Sequence, residues 1–359
     1  MRIEQLRIRG LRCLSEVDVS LAAGVNVFVG NNGAGKTSVL EAAFLLSHAR
    51  SFRAGAKDAL LQRGASQLSV YAELSHADGH HSRVGLGRES QRWEAKVDGD
   101  NVTIGRLVGA CAVVCFEPGS HALIAGPADE RRRYLDWGVF HVEHEFLTLW
   151  RRYQRALKQR NSLLRSGVMP TSDLFDPWEV ELAQSAERID GYRAAYVEKL
   201  RPKLHASING VLAELGLPQL RYRRGWPEGE SLLKLLRDSR GRDMGRGHTT
   251  LGPHRADWMI SFEHAPLREH LSRGQEKLAA LSCVLAQAAL HAECNGEWPV
   301  VCLDDLASEL DQTHQAAVVS QLVSAGAQVL LTGTDTPEAL KSTAVQMFHV
   351  EQGVVSRLL

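Results

Sequence analysis

The chain has 359 residues, 44% of them hydrophobic and 23% charged, and its 42 Lys and Arg balance 42 Asp and Glu. That is the composition of a globular chain of about two domains, and it excludes a disordered protein, a membrane bundle and a long coiled-coil arm. With zero net charge, any affinity for nucleic acid must come from local basic clusters and not from the field of the whole molecule.

The opening MRIEQLRIRGLRC alternates apolar and basic residues as a strand does and lacks the apolar core of a signal peptide. Cys13, Cys111, Cys115, Cys283, Cys294 and Cys302 form no CxxC pair and mostly lie in apolar runs, so a reducing, cytoplasmic setting is expected. Patterning predicts strands near 3–8, 25–29, 68–74, 83–86, 93–97 and 110–116, interrupted by one helix near 36–49. His76, His80 and His81, beside Asp78 and Gly79, read as a polar hairpin turn, because no further ligands cluster with them. From Asp129 to Leu215 the period is helical, with breaks expected near Gly167 to Thr171 and around Pro202. After a Gly- and Arg-rich stretch, 238–247, a strand near 257–262 leads to a helix near 272–292. Short apolar strands near 300–303, 329–332 and 346–350 follow. The apolar run LAALSCVLAQAALH is interrupted by Gln287 and His291 and is too short to span a bilayer, so it reads as a core helix. The expected fold is α/β: a nucleotide-binding head made from both termini, residues 1–120 and 263–359, with a mainly helical lobe, 121–262, inserted.

Gly30, Asn31, Asn32, Gly33, Ala34, Gly35, Lys36 and Thr37 match G-x-x-x-x-G-K-[ST] between the strand VNVFV and the helix TSVLEAAFLLS, the setting a phosphate-binding loop requires. Glycines let backbone N–H groups converge on phosphate, and the helix N-terminus adds partial positive charge. Lys36 supplies a mobile cation for the β and γ phosphates of ATP, and Thr37 a hydroxyl for Mg²⁺. A glycine turn with an accidental lysine would not need those flanks. Near the C-terminus, PVVCLDDLASELD puts Asp304 and Asp305 at the end of an apolar strand. Asp304 is the expected metal-side acid, with Asp305 beside it. Ser272, placed to cap the next helix in SRGQEK, offers with Gly274 and Gln275 a second helix N-terminus suited to an anion. Alone, S-x-G-Q marks only a capped helix.

The order of these motifs, P-loop, S-x-G-Q, acidic strand end and SELD, resembles the ABC-type ATPase head. The resemblance implies that Ser272 and Gly274 contact ATP bound by an opposite subunit, hence an ATP-dependent homodimer with two composite sites. This sequence departs from that pattern in three places. Asp305 stands where such heads usually carry a glutamate that orients or deprotonates the attacking water, which implies that role for Asp305; the junction CFEPGSH lacks the usual glutamine, and LLTGTDT lacks the usual histidine, with Thr332 or Thr334 as candidates in its place. Slow, switch-like hydrolysis is expected. More narrowly, AAGVNVFVGNNGAGKTSVLEAAFLLSHARSFR, with Ser51, Phe52 and Arg53, resembles the RecF family of bacterial recombination mediators. GPADERRRYLDWGVF (126–140), TLGPHRADW (250–258) and LSRGQEKL carry the resemblance over nearly the whole chain. It implies binding of ATP and of single-stranded or gapped DNA, DNA-stimulated hydrolysis, work with RecO and RecR in loading RecA, and roles in replication and the SOS response.

Basic clusters lie at Arg131 to Arg133, at Arg151, Arg152, Arg155, Lys158 and Arg160, at Arg221, Arg223 and Arg224, and at Arg237, Arg240, Arg242 and Arg246. Arg151, Arg155 and Lys158 share one helix face, able to follow a phosphate backbone. The plainer reading is a solvated surface balanced by acids such as Glu143 and Glu145. His254 and Arg255 fit a DNA-facing loop, an ATP sensor or a structural turn, and the sequence leaves these open. A transporter ATP-binding subunit would normally carry a shorter helical insertion, and a small-molecule P-loop kinase has no use for SRGQ and SELD. An SMC-like clamp needs long heptad segments that this chain lacks.

Overall fold

The computed structural model describes residues 1–53, 60–89, 92–167, 169–336, 338–340 and 344–358. The chain divides into two compact units, one comprising Met1–His121, Ala206–Ala213 and Leu271–Leu359, the other Ala122–His205 and Glu214–His270. No helix among the described residues is long and apolar enough to cross a membrane.

The first unit opens with β1 (Arg2–Leu11), β2 (Leu14–Ser20), β3 (Val25–Val29) and α1 (Lys36–His48). Then come β4 (Gln67–Ser75), β5 (His81–Glu89), β6 (Arg92–Val97), β7 (Asp100–Val102), α2 (Ile104–Ala110) and β8 (Val113–Phe116). The single strand expected over 110–116 is thus a helix end followed by a four-residue strand. Thr103 explains the start of α2, because its side chain caps Arg106 N, a short signal that an apolar run conceals. The expected histidine hairpin is the β4–β5 turn, where Gly79 N donates to His76 O at 3.0 Å.

The second unit holds α3 (Ala122–Ala125), α4 (Ala128–Val142), α5 (Phe146–Arg165), α6 (Asp176–Asn209), β9 (Pro218–Arg223), α7 (Leu232–Asp238), α8 (Arg240–Arg246) and β10 (Asp257–Phe262). The last residues of α6 group with the first unit. Contrary to the expected break, α6 runs unbroken through Pro202. An interior proline removes one backbone hydrogen bond at a cost of about 3 kcal/mol. Here Leu200, Leu204 and Ile208, all at most 2% exposed and spaced by one turn, bury enough surface to offset it.

The chain ends in the first unit with α9 (Arg273–Asn295), β11 (Val300–Leu303), α10 (Leu306–Glu309), α11 (Gln312–Ser324), β12 (Val329–Gly333), β13 (Val345–Glu351) and β14 (Val354–Arg357). Its strands form two six-stranded sheets, β2-β1-β4-β5-β6-β7 and β14-β13-β3-β12-β11-β8. The first is antiparallel and alternates buried and exposed residues; the second is parallel from β13 to β8, and its central strands are buried at every position. Helix α1 packs against β1, β4 and β5 of one sheet and β8 and β12 of the other, which leaves it apolar nearly all round.

The second unit is held by a buried ion network. Arg160 on α5 donates to Glu179 of α6 at 3.0 Å, to Asp243 of α8 at 2.7 Å and to the Leu236 carbonyl at 2.8 Å, and all three charged side chains are 0% exposed. Arg160 is therefore a structural ion, and its place in the expected basic cluster is corrected; only two residues beyond the exposed Lys158, it points to the other, covered side of the helix. His254 is also placed. Its Nε2–H donates to Thr249 O at 3.0 Å and its Nδ1 accepts from the buried Tyr153 hydroxyl. Desolvation, only partly opposed by the Thr249 bond, lowers its pKa to about 4 and keeps it neutral.

Arg160→Met leaves two buried carboxylates short of a partner and should lower stability by about 3 kcal/mol in urea unfolding; an unchanged midpoint would show the network to be dispensable. His254 binds its proton less readily folded than unfolded. Its contribution is therefore complete above the ordinary pKa of about 6.5 and fades as pH falls toward 4. Stability should drop by on the order of 3 kcal/mol over that window, and His254→Gln should flatten the profile.

Candidate nucleotide site

Ligand loops gather at the carboxyl ends of parallel strands, and here the ends of β3, β8, β11 and β12 lie side by side. β3 runs into the glycine loop. A Cβ at Gly30 would sit 2.1 Å from Val350 O, and Gly35, at φ 116, would set one 2.9 Å from Cys13 Sγ, so the loop tolerates no larger residue at either point. Lys36 is 7% exposed, and its Nζ donates back across the loop to Gly30 O at 2.7 Å and Asn31 O at 3.0 Å. The ammonium thus lies under the turn, within the loop that Asn32, Gly33 and Ala34 complete.

Thr37 Oγ1 donates to Asp304 Oδ1 at 2.8 Å, and Thr332 Oγ1 donates to the same oxygen at 2.7 Å. Residues 267 positions apart in sequence are joined at one carboxylate. Burial raises the Asp304 pKa, while the bonds from Thr332 and Thr37 and the Arg53 charge pull it back. Asp305 takes a left-handed conformation, φ 52, which Asp tolerates better than most residues. Its N–H donates to Thr332 Oγ1 at 2.8 Å, and its carboxylate accepts from Ser308 Oγ at 2.6 Å. Thr332 therefore serves both acids, whereas Thr334 is exposed.

Further contributors lie outside the motifs. Arg12 and Arg53 line the same cleft of ≈ 210 Å³ as Lys36, Thr37, Asp304 and Asp305. Arg12 is held by Glu41, a wholly buried acid of α1, through bonds of 3.0 and 2.7 Å, and Ser51 donates to that same acid. The RSFR segment signalled its importance by resemblance, but nothing local linked Ser51 to Glu41. Glu117, in the junction where a glutamine is usual, follows β8 beside β11, next to Asp304; burial first, then the Asp304 charge, raise its pKa.

Ser272 caps α9 through a complete capping box with Gln275. Ser272 and Gly274 are exposed, and neither they nor Gln275 line the P-loop cleft. The chain brings together the P-loop and the acids but not the S-x-G-Q segment. Of the basic residues, Arg131 pairs with Asp257 at 2.7 Å, Arg152 with Glu181 at 2.7 Å, Arg224 with Glu187 at 3.0 Å and Arg240 with Glu179 at 2.6 Å. Arg151, Arg155 and Lys158 are exposed on α5 and meet no carboxylate among the described residues. Those residues include no group of three or more His, Cys, Asp or Glu that could hold a metal alone.

A P-loop on a buried parallel sheet, an acidic strand end and a capped signature-like helix define an ABC-type ATPase head of the SMC kind. A family model described as RecF/RecN/SMC N terminal domain matches residues 2–356. The DNA replication and repair protein RecF of Xanthomonas axonopodis pv. citri (strain 306) is 48% identical, with 99% of each chain covered. RecF of Pseudomonas aeruginosa (strain LESB58) is 38% identical over 99% of this chain and 98% of its own. A solved structure described as the recombination mediator protein RecF-ATP in the RecFOR pathway superposes with TM-score 0.90 at 27% identity, covering 99% of this chain and 97% of that one. An Smc head from Pyrococcus furiosus, at 14% identity and TM-score 0.57 with 99% and 95% covered, shares the fold. The chain belongs to the RecF family.

Thr332→Val removes a donor to Asp304 and the acceptor of Asp305 N–H. We expect about 1–3 kcal/mol lost in unfolding and Mg-ATP binding weakened about tenfold; parental affinity would mean that other groups position Asp304.

Proposed function

We propose that this chain is an ATP-gated DNA-binding protein of DNA replication and recombinational repair. It dimerises with ATP, engages single-stranded or gapped DNA, and works with RecO and RecR toward RecA loading and the SOS response. The observation that carries the reading is the shared hold of Thr37 and Thr332 on Asp304 while Ser272 and Gly274 stand exposed outside that cleft. Such an arrangement supplies half of two sites per chain, so a second copy completes both. The names of the relatives, including an ATP-bound one, agree with it.

In this reading residues 30–37 wrap the phosphates of ATP and Lys36 reaches the β and γ groups. Arg12 and Arg53 add positive charge to the cleft. Thr37 and Asp304 offer the hard oxygen donors that suit Mg²⁺, which neutralises phosphate charge when bound. Asp305 orients the water, but it is one methylene shorter than glutamate and is held by Ser308, so hydrolysis is slow; in this reading DNA stimulates it. The free cations of α5 bind DNA backbone, which makes affinity fall steeply with salt.

The test is molar mass with ATP and Mg²⁺ against ADP, with and without gapped DNA. Doubling with ATP only, lost in Lys36→Arg and in Ser272→Arg while the latter still binds ATP as a monomer, is the expected result. A monomer throughout that ignores DNA would return a P-loop kinase to first place.

A further inference from the structure

The ribbon of β9 and β10 turns Leu220, Trp258, Ile260 and Phe262 inward and leaves Arg221, Arg223 and Met259 outward. Met259 stands directly across from Arg221 and is 47% exposed. Along this face runs a groove of ≈ 1010 Å³, to which Arg201 and His205 of α6 also contribute, and none of its lining residues is acidic. A neighbouring cleft of ≈ 430 Å³ shares Arg221 and Met259 and adds Leu267, 57% exposed, with one acid, Glu269, against Arg131, Arg221 and Arg268 in its lining.

The cations here are available. Asp257, opposite Arg223 in register, is already engaged by Arg131 at 2.7 and 3.0 Å, and Arg223 forms no ion pair among the described residues. Arg221 donates to the Gln219 amide oxygen at 3.3 Å. Arg201 pairs with Glu198 on its own helix, an exposed pair of little energetic weight. Guanidinium groups grip carboxylates with paired hydrogen bonds, and Met and Arg are enriched where proteins meet. A nucleic-acid backbone would use the cations but leave Met259 and Leu267 without a counterpart.

We propose that this groove docks an acidic polypeptide segment bearing large apolar side chains. Its carboxylates meet Arg201, Arg221 and Arg223, and an apolar side chain packs on Met259 and Leu267. The groove shares no lining residue with the nucleotide cleft, so the proposal stands or falls separately from the ATP reading.

The test is fluorescence anisotropy of the full chain with a short labelled peptide alternating Glu with Leu and Phe, its Glu→Gln counterpart, and a labelled oligothymidylate of equal charge. The acidic peptide should bind, and the counterpart more weakly. Arg221→Glu combined with Arg223→Glu, and separately Met259→Asp, should each weaken binding at least about tenfold. ATP binding and the urea midpoint should stay unchanged, because all three side chains are exposed. Absence of peptide binding, or equal binding by the variants, would overturn the proposal. So would oligothymidylate binding that the arginine variant loses and the acidic peptide does not compete, which would assign the groove to nucleic acid.

Discussion

Helix α1 is enclosed between two sheets, and much of the candidate site follows from that enclosure. A helix buried along its whole length can present only its ends, so Lys36, Thr37 and the glycine loop are where it meets ligand. Burial also makes Glu41 costly unless its charge is answered. Arg12 and Ser51 answer it, and the same bonds fix the Arg12 side chain against the P-loop cleft. One buried acid thus links the packing of the head to the charge of its site.

The parallel sheet supplies the other half. β11 between β8 and β12 puts Asp304 between Glu117 and Thr332, while β3 beyond β12 delivers Thr37 to the same carboxylate. Burial works against the ionised form of Asp304, and two hydroxyl donors work for it. A cation arriving there would relieve the same cost, which is why a carboxylate so placed suits a metal better than a surface acid would.

The parts legible from sequence are those set by short-range chemistry. The glycine loop, the strand ending in Asp304 and the Ser272 cap each depend on neighbours within a few residues. The capping box seen at Ser272 and Gln275 was written in the S-x-x-Q spacing itself. What escaped depends on partners far along the chain. Nothing near Glu41 in sequence shows that it is wholly buried and met by Arg12, 29 positions earlier, and Arg160 reads as surface until Asp243, 83 positions later, reaches it. Pro202 reads as a break until the packing of Leu200, Leu204 and Ile208 outweighs its lost hydrogen bond.

The same long-range pairing narrows where this chain can present positive charge. Arginines beside one another in sequence have opposite fates: among the described residues Arg152 is bound to Glu181 while Arg151 meets no carboxylate, and Arg224 is bound to Glu187 while Arg223 meets none. Where net charge is zero, recognition of an anion depends on the cations left over after internal pairing. Among the described residues, two groups of those remaining differ in character. The α5 set is polar and suited to a repeating phosphate backbone, and the ribbon set is interleaved with exposed methionine and leucine. That difference in apolar content is what distinguishes the partners proposed for each surface, which a count of basic residues could not do.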